Sequence, residues 1–139
     1  MIKITNDEII LDDYLNLKIN PNSGSLLYFL GTTRNNNLGK KVKYLEYETF
    51  EEMAISKLDE ISKYAVSEWQ LNQLDIIHRI GRVNIAETSL LIIVSSPHRK
   101  ESFLAIEYIV DELKKIVPIW KKEFYTDGSA WIGTSDNPN

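Results

Sequence analysis

The stretch that decides the fold opens Ser95-Ser96-Pro97-His98-Arg99-Lys100 and closes Pro118-Ile119-Trp120-Lys121-Lys122-Glu123. Between these ends, apolar residues fall at Phe103, Ile106, Ile109, Val110, Leu113, Ile116 and Val117. That is the three-and-four spacing of one helix face. Pro97 precedes the helix, where a missing N–H does little harm, and Pro118 stops it. His98 and Arg99 therefore stand at the helix start, Lys114 near its far end, and Lys121 just past the stop. An amphipathic core helix with a solvated charged face accounts for most of this pattern. The combination points further. A His-Arg pair beside free backbone N–H groups and the positive end of the helix dipole, with two lysines around the other end, supplies anion-binding groups. At a rise of about 1.5 Å per residue the two ends lie about 25 Å apart, so one pocket using both needs another element or a second subunit.

Working outward, residues 89–95 (Ser-Leu-Leu-Ile-Ile-Val-Ser) are the most apolar run and read as the central strand. Residues 74–80 read as a strand carrying His78, a position where a buried structural histidine is commoner than a catalytic one. Residues 82–88 read as a connection or short strand. Residues 50–69 hold apolar positions at helical spacing with no interior Gly or Pro and read as the second main helix. Residues 42–49 alternate as a strand with one wet face, and residues 25–30 read as a buried strand. Residues 2–5 suit a short strand and residues 12–17 a short helix. Residues 31–41 read as a polar loop that presents Arg34, its asparagines and glycines favouring left-handed backbone. Past Pro118, residues 119–125 and 129–132 form a hairpin around Asp127-Gly128. The layout is α+β, a mostly antiparallel or mixed sheet with two main helices. It is expected to be one domain over residues 1–133, with residues 134–139 as a polar tail.

Composition narrows the function. With 139 residues, 43% hydrophobic and 26% charged, the chain has the make-up of one ordinary globular domain. A formal net charge of −4 argues against nucleic acid as partner, so an anion site must be a local basic patch. There is no cysteine, which removes thiolate metal sites and Cys nucleophiles, and two histidines are too few for a His-rich metal site. Neither a metal nor a cofactor is expected. The N-terminus has no apolar leader and no run approaches the roughly 18 apolar residues of a membrane span, which points to a cytoplasmic protein without membrane attachment. The carboxylates at Glu46, Glu48, Glu51 and Glu52 lack fixed metal-ligand spacing and read as a solvated face.

Four motifs together resemble one family. Gly31-Thr32-Thr33-Arg34-Asn35-Asn36-Asn37-Leu38-Gly39, Ile77-His78-Arg79-Ile80-Gly81, Ser95-Ser96-Pro97-His98-Arg99-Lys100 and Pro118-Ile119-Trp120-Lys121-Lys122-Glu123 are similar, in order and spacing, to the large, catalytic subunit of molybdopterin synthase. Asp127-Gly128-Ser129-Ala130-Trp131 resembles the same family's ending, so the likeness spans about residues 2–131. It implies an α/β-hammerhead fold. It also implies a reaction: two sulfurs pass to cyclic pyranopterin monophosphate to form the molybdopterin dithiolene. The sulfur comes as a thiocarboxylate on the C-terminal Gly-Gly of a small ubiquitin-like subunit. The implied assembly is a heterotetramer built on a homodimer of large subunits.

Carried over by position, the resemblance assigns substrate binding to Thr32, Thr33, Arg34, His98, Arg99, Lys114, Lys121, Lys122 and Glu123, with Lys121 and Lys114 as catalytic residues. Some members have Lys-Val or His-Val where this chain has Thr32-Thr33. Some carry an arginine after the final tryptophan, where this chain has Ile132-Gly133-Thr134. Elementary chemistry agrees with the assignment. A cyclic phosphate and a thiocarboxylate are both anions, and holding them together requires clustered Arg and Lys. A lysine among other cations has a lowered pKa and can move a proton or stabilise an oxyanion. The competing reading is a non-catalytic scaffold that docks a ubiquitin-like tail or a nucleotide-like anion. Such a scaffold needs positive charge but no particular lysine.

Overall fold

A computed structural model describes residues 1–134. Its strands and helices run in the order β1 (Ile2–Thr5), β2 (Ser25–Thr32), β3 (Asn36–Asn37), β4 (Lys40–Thr49), α1 (Glu51–Trp69), β5 (Gln73–Arg79), β6 (Gly81–Asn84), β7 (Thr88–Ser96), α2 (Arg99–Ile116), β8 (Ile119–Tyr125) and β9 (Ala130–Thr134). A single 3-10 turn, Leu11–Tyr14, stands where a short helix is expected. The strands make two sheets, so the α+β expectation holds. The polar tail expected over residues 134–139 falls, apart from Thr134, outside the described residues; Thr134 itself closes β9.

The larger sheet has the order β1-β5-β7-β2. Its centre is β7, all nine residues of which are buried. β5 and β2 flank it antiparallel, and β1 lies parallel on β5. Strand alternation sends Ile76, Ile92 and Val94 to one face and Ile77, Leu91 and Ile93 to the other. The first set packs under Leu58, Ile61 and Ala65 of α1 and Ala105, Ile109 and Leu113 of α2. The second set is covered by Ile9 and the segment around the 3-10 turn. A sheet covered on both faces explains why the middle of β7 reads as a continuous apolar run.

Helix α2 turns a different face to the core from the one its large residues suggest. Ser102, Ala105, Ile109 and Leu113 are buried, while Phe103 is 59% and Ile116 40% exposed. The cause is close packing: Ser102 and Ala105 let α2 lie near β2 and β7, and bulkier side chains at those positions would hold it off. Strand β2 departs from expectation too. It is half-buried rather than buried, because it is the edge of its sheet.

The second sheet is built around β4. One edge of β4 pairs with β8 and the other with β6, β3 folds back on its start, and β9 extends the sheet beyond β8. The two sheets meet where β5 runs into β6 through Ile80 and Gly81. Gly81 has a φ of +81°, which a side chain would resist. Residues 31–41 are more ordered than a loop: β2 continues to Thr32, and Asn36–Asn37 pair with Lys41 and Lys40 around Leu38-Gly39. The left-handed backbone falls on Leu38 and Gly39, not on the asparagines.

Candidate functional site

Between the two sheets, beside the C-terminal turns of α2, lies a cavity of about 350 Å³. Three segments bring cations to it: Arg34 from the chain leaving β2, Lys114 from α2, and Lys121 from β8. Each placement has a local cause. The backbone around Thr33 is pinned, its N–H donating to the Glu87 carbonyl (3.1 Å) and its carbonyl accepting from the Ala86 N–H (2.9 Å), so Arg34 leaves β2 in a set direction. Lys114 follows the buried Leu113 by one residue and stands exposed at the cavity mouth. Pro118 ends the helical run, its carbonyl accepts from the Thr49 hydroxyl (2.6 Å), and β8 then pairs Lys121 with Tyr47 and Glu123 with Leu45.

Alternation along β8 separates the neighbouring lysines. Ile119, Lys121, Glu123 and Tyr125 share one face. The Lys121 side chain is only 14% exposed, and its Nζ lies 3.6 Å from a Glu123 carboxylate oxygen. Burial pushes the Lys121 ammonium below its ordinary range; Glu123 pulls it back up, and the charges of Lys114 and Arg34 push it down again. Low pKa by crowding of cations is therefore only part of the account: desolvation comes first. Glu123 is held in place. Its other carboxylate oxygen accepts from Asn37 Nδ2 (2.7 Å) and from the Tyr125 hydroxyl (2.6 Å).

Of the residues singled out in the sequence, Thr32, Thr33, Arg34, Lys114, Lys121 and Glu123 line this one cavity. Thr33 is 4% exposed and its hydroxyl has no protein partner. Lys122 is elsewhere: its Nζ sits 4.8 Å from the centre of the Phe124 ring, on the opposite face of β8. His98 and Arg99 are elsewhere too. They are exposed at the far end of α2, about 25 Å away along the helix axis. That end is firmly built. The Ser96 hydroxyl donates to the His98 carbonyl (2.6 Å), and the Ser102 hydroxyl lies within hydrogen-bond distance of those of Ser96 (2.5 Å) and Ser25 (2.8 Å).

Among the cavity residues that were not expected, one is titratable and buried on the floor. His78, on β5, is 3% exposed and lines the cavity floor. Its Nδ1 bonds the Arg79 carbonyl (2.8 Å) and its ring meets that of Tyr47 edge-on at 5.3 Å. Burial pushes the imidazole down to about 4, against which the Arg79 carbonyl pulls it up. The signal available in the sequence was a histidine after the apolar pair Ile76-Ile77 of a strand, which also describes a structural histidine. Among the described residues no cluster of His, Cys, Asp and Glu is arranged to hold a metal ion. Among them, too, no helix is long and apolar enough to cross a membrane.

A buried lysine facing an arginine and a second lysine across one cavity can hold two anions and exchange a proton. Known proteins resemble this chain over most of its length. The profile of the family described as MoaE protein matches residues 4–116. A molybdopterin synthase catalytic subunit from Dictyostelium discoideum is 44% identical over 140 residues, covering 98% of this chain and 89% of its own. The crystal structure of molybdopterin synthase from Staphylococcus aureus superposes with a TM-score of 0.85 at 38% identity, covering 94% of each chain. A complex of subunits 1 and 2 of molybdopterin-converting factor from Helicobacter pylori 26695 shares the fold, with a TM-score of 0.76 at 19% identity, covering 99% of this chain and 92% of that one. The profile agrees with the relatives and the fold, which extend the likeness over nearly the whole length, and the chain belongs to the MoaE family of molybdopterin synthase catalytic subunits.

Proposed function

We propose that this chain transfers sulfur from the thiocarboxylated C-terminus of a small ubiquitin-like subunit to cyclic pyranopterin monophosphate, forming the molybdopterin dithiolene in the cytoplasm. The observation that carries the reading is Lys121: a buried lysine, its ammonium destabilised by desolvation, set among Arg34, Lys114 and Glu123 in one cavity. Arg34 offers a fork of donors that suits phosphate. Thr32 and Thr33 add hydroxyls beside it. Lys121 is the group suited to exchange a proton or to stabilise the oxyanion when the acyl carbon of the thiocarboxylate is attacked. Lys114 supports it from the mouth, and Glu123 holds the Lys121 ammonium in position. The chain has no thiol of its own, and in this reaction needs none, because the partner brings the sulfur.

His98 and Arg99 take part through a second copy. The length of α2 keeps them from the cavity of their own chain, so in a homodimer they would complete the partner's site, with a small subunit bound to each large one. The catalytic domain then comprises residues 1–133. Lys122 faces away from the cavity and has no direct part in this scheme. The test is mass spectrometry of the purified chain mixed with thiocarboxylated small subunit and cyclic pyranopterin monophosphate. Dithiolene product is expected, and its absence with all three components folded and present would overturn the reading.

A further inference from the structure

The polar groups facing the cavity are unequal in kind. Arg34, Lys114 and Lys121 only donate hydrogen bonds. The Glu123 carboxylate is engaged by Lys121, Asn37 and Tyr125, and the Ser89 hydroxyl donates to the Gly31 carbonyl (3.2 Å). His78 differs. The Arg79 carbonyl can only accept, so the proton of the neutral imidazole sits on Nδ1, and Nε2 carries a lone pair. Nε2 is the ring atom left for the cavity that His78 lines. The ring cannot turn to hide it, because Nδ1 is tied and Tyr47 stands edge-on against it. Burial keeps the imidazole neutral at physiological pH, so the lone pair stays available. The surroundings on this side are flat and apolar: Tyr47 beside the ring, Leu90 opposite His78 in the strand register, and Phe29.

The anionic cyclic phosphodiester offers oxygen acceptors and no proton, and an unprotonated Nε2 has nothing to give it. A pterin heterocycle is the complement: flat, with ring N–H groups and an exocyclic amine. We infer that His78 is a specificity-determining residue whose Nε2 accepts a hydrogen bond from an N–H of the substrate's heterocycle. The ring system is thereby directed toward β5, and the phosphate toward Arg34, Lys114 and Lys121. This rests on the pyranopterin reading of the cavity and adds to it the direction in which the substrate lies.

The chain has two histidines, so the imidazole nitrogens of 15N-histidine-labelled protein give few signals and can be assigned with a single His98 variant. Titration of the wild-type full-length chain with a pterin lacking phosphate is expected to move the unprotonated Nε2 signal of His78 upfield, as it does when such a nitrogen accepts a hydrogen bond. Sulfate, an oxyanion with no proton to give at neutral pH, should leave it in place. In calorimetry, His78→Phe should bind cyclic pyranopterin monophosphate about tenfold more weakly, with the affinity for inorganic phosphate and for the small subunit unchanged. His78→Gln, which keeps an acceptor, should recover part of the loss. A pterin that binds without moving the His78 signal overturns the assignment, whether or not the variants fold, and so does an equal shift caused by sulfate. If calorimetry shows no binding of cyclic pyranopterin monophosphate to the wild type, the substrate reading itself falls, and the His78 assignment with it.

Discussion

The two ends of α2 carry similar residues and have opposite surroundings. At the C-terminal end, Lys114 and, past Pro118, Lys121 face a cavity that also receives Arg34. At the N-terminal end, His98 and Arg99 face outward, and the polar groups beneath them are serine hydroxyls bonded to one another and to backbone. Both ends match a family motif equally well. What separates them is what stands opposite. At the cavity end, Lys121 stands on β8 with its side chain mostly buried, and desolvation lowers its proton affinity. At the other end the described residues place no wall over Arg99, so its guanidinium acts only where a second molecule supplies one. A cationic motif becomes chemistry through its enclosure.

The largest effect should come from Lys121. Lys121→Ala is expected to slow dithiolene formation at least ~100-fold, as loss of a proton-transferring or oxyanion-stabilising group does. It should also lower stability by about 1–3 kcal/mol, because the buried Glu123 loses its counter-cation. Lys121→Arg keeps that charge and should restore stability, yet it cannot release a proton at neutral pH. Single-turnover assays and thermal melts on the two variants separate the roles. Full activity in Lys121→Arg would leave electrostatic stabilisation alone, and full activity in Lys121→Ala would move the chemistry to Lys114.

A mixing experiment sharpens the comparison between the ends. Arg99→Ala and Lys121→Ala chains, each nearly inactive alone, should recover activity when co-expressed. A mixed dimer contains one intact composite site, and random pairing gives about a quarter of wild-type activity in a twofold-symmetric assembly. No recovery above the separate variants would place both residues in the site of a single chain, or Arg99 outside any site.

The third expectation concerns stability against pH. The His78 imidazole is depressed to about 4 from the ordinary 6.5, so the unfolded chain binds its proton first as pH falls. The stabilisation is therefore complete above pH 6.5 and is lost as pH falls toward 4, amounting to roughly 3 kcal/mol at most. Denaturant melts across that window should show a slope that His78→Gln flattens. The smallest effect should fall at the outward end of α2. Ser102→Ala removes one member of the hydroxyl cluster and should cost about 1 kcal/mol. Amide hydrogen exchange should quicken in the first turn of α2 and not around Lys121; quickening at both ends would mean that the two ends are not independently held.

Much of the fold is visible in the order of residues. The apolar run of β7, the uninterrupted helical spacing of α1, the Pro97 and Pro118 limits of α2 and the Asp127-Gly128 turn each have one local cause, and each stands where it was expected. The separation of Lys121 from Lys122 followed from alternation alone. The inward face of α2 did not follow, because small residues such as Ser102 and Ala105 carry little hydrophobic signal while they decide how closely a helix can approach. The half-exposure of β2 depends on where it stands in the sheet, which its own residues do not record. His78 was passed over because burial and function make the same demand at that position: a polar ring inside an apolar strand. The cavity itself is long-range, assembled from segments between Phe29 and Glu123.

The order of the larger sheet has a consequence for how the chain is made. β1 pairs with β5, and β2 with β7, so neither early strand meets its neighbour until residues 73–96 exist. Such non-local closure carries a high entropic cost before any contact is made and slows folding. A chain leaving the ribosome N-terminus first would hold β1 and β2 unpaired through most of its synthesis, with their apolar residues open to chaperones or to other nascent chains. The hairpin of β8 and β9, by contrast, can close as soon as it emerges. Lys121 arrives on that last segment, so a ribosome stalled before it would leave a chain with its larger sheet in hand and one wall of its cavity missing.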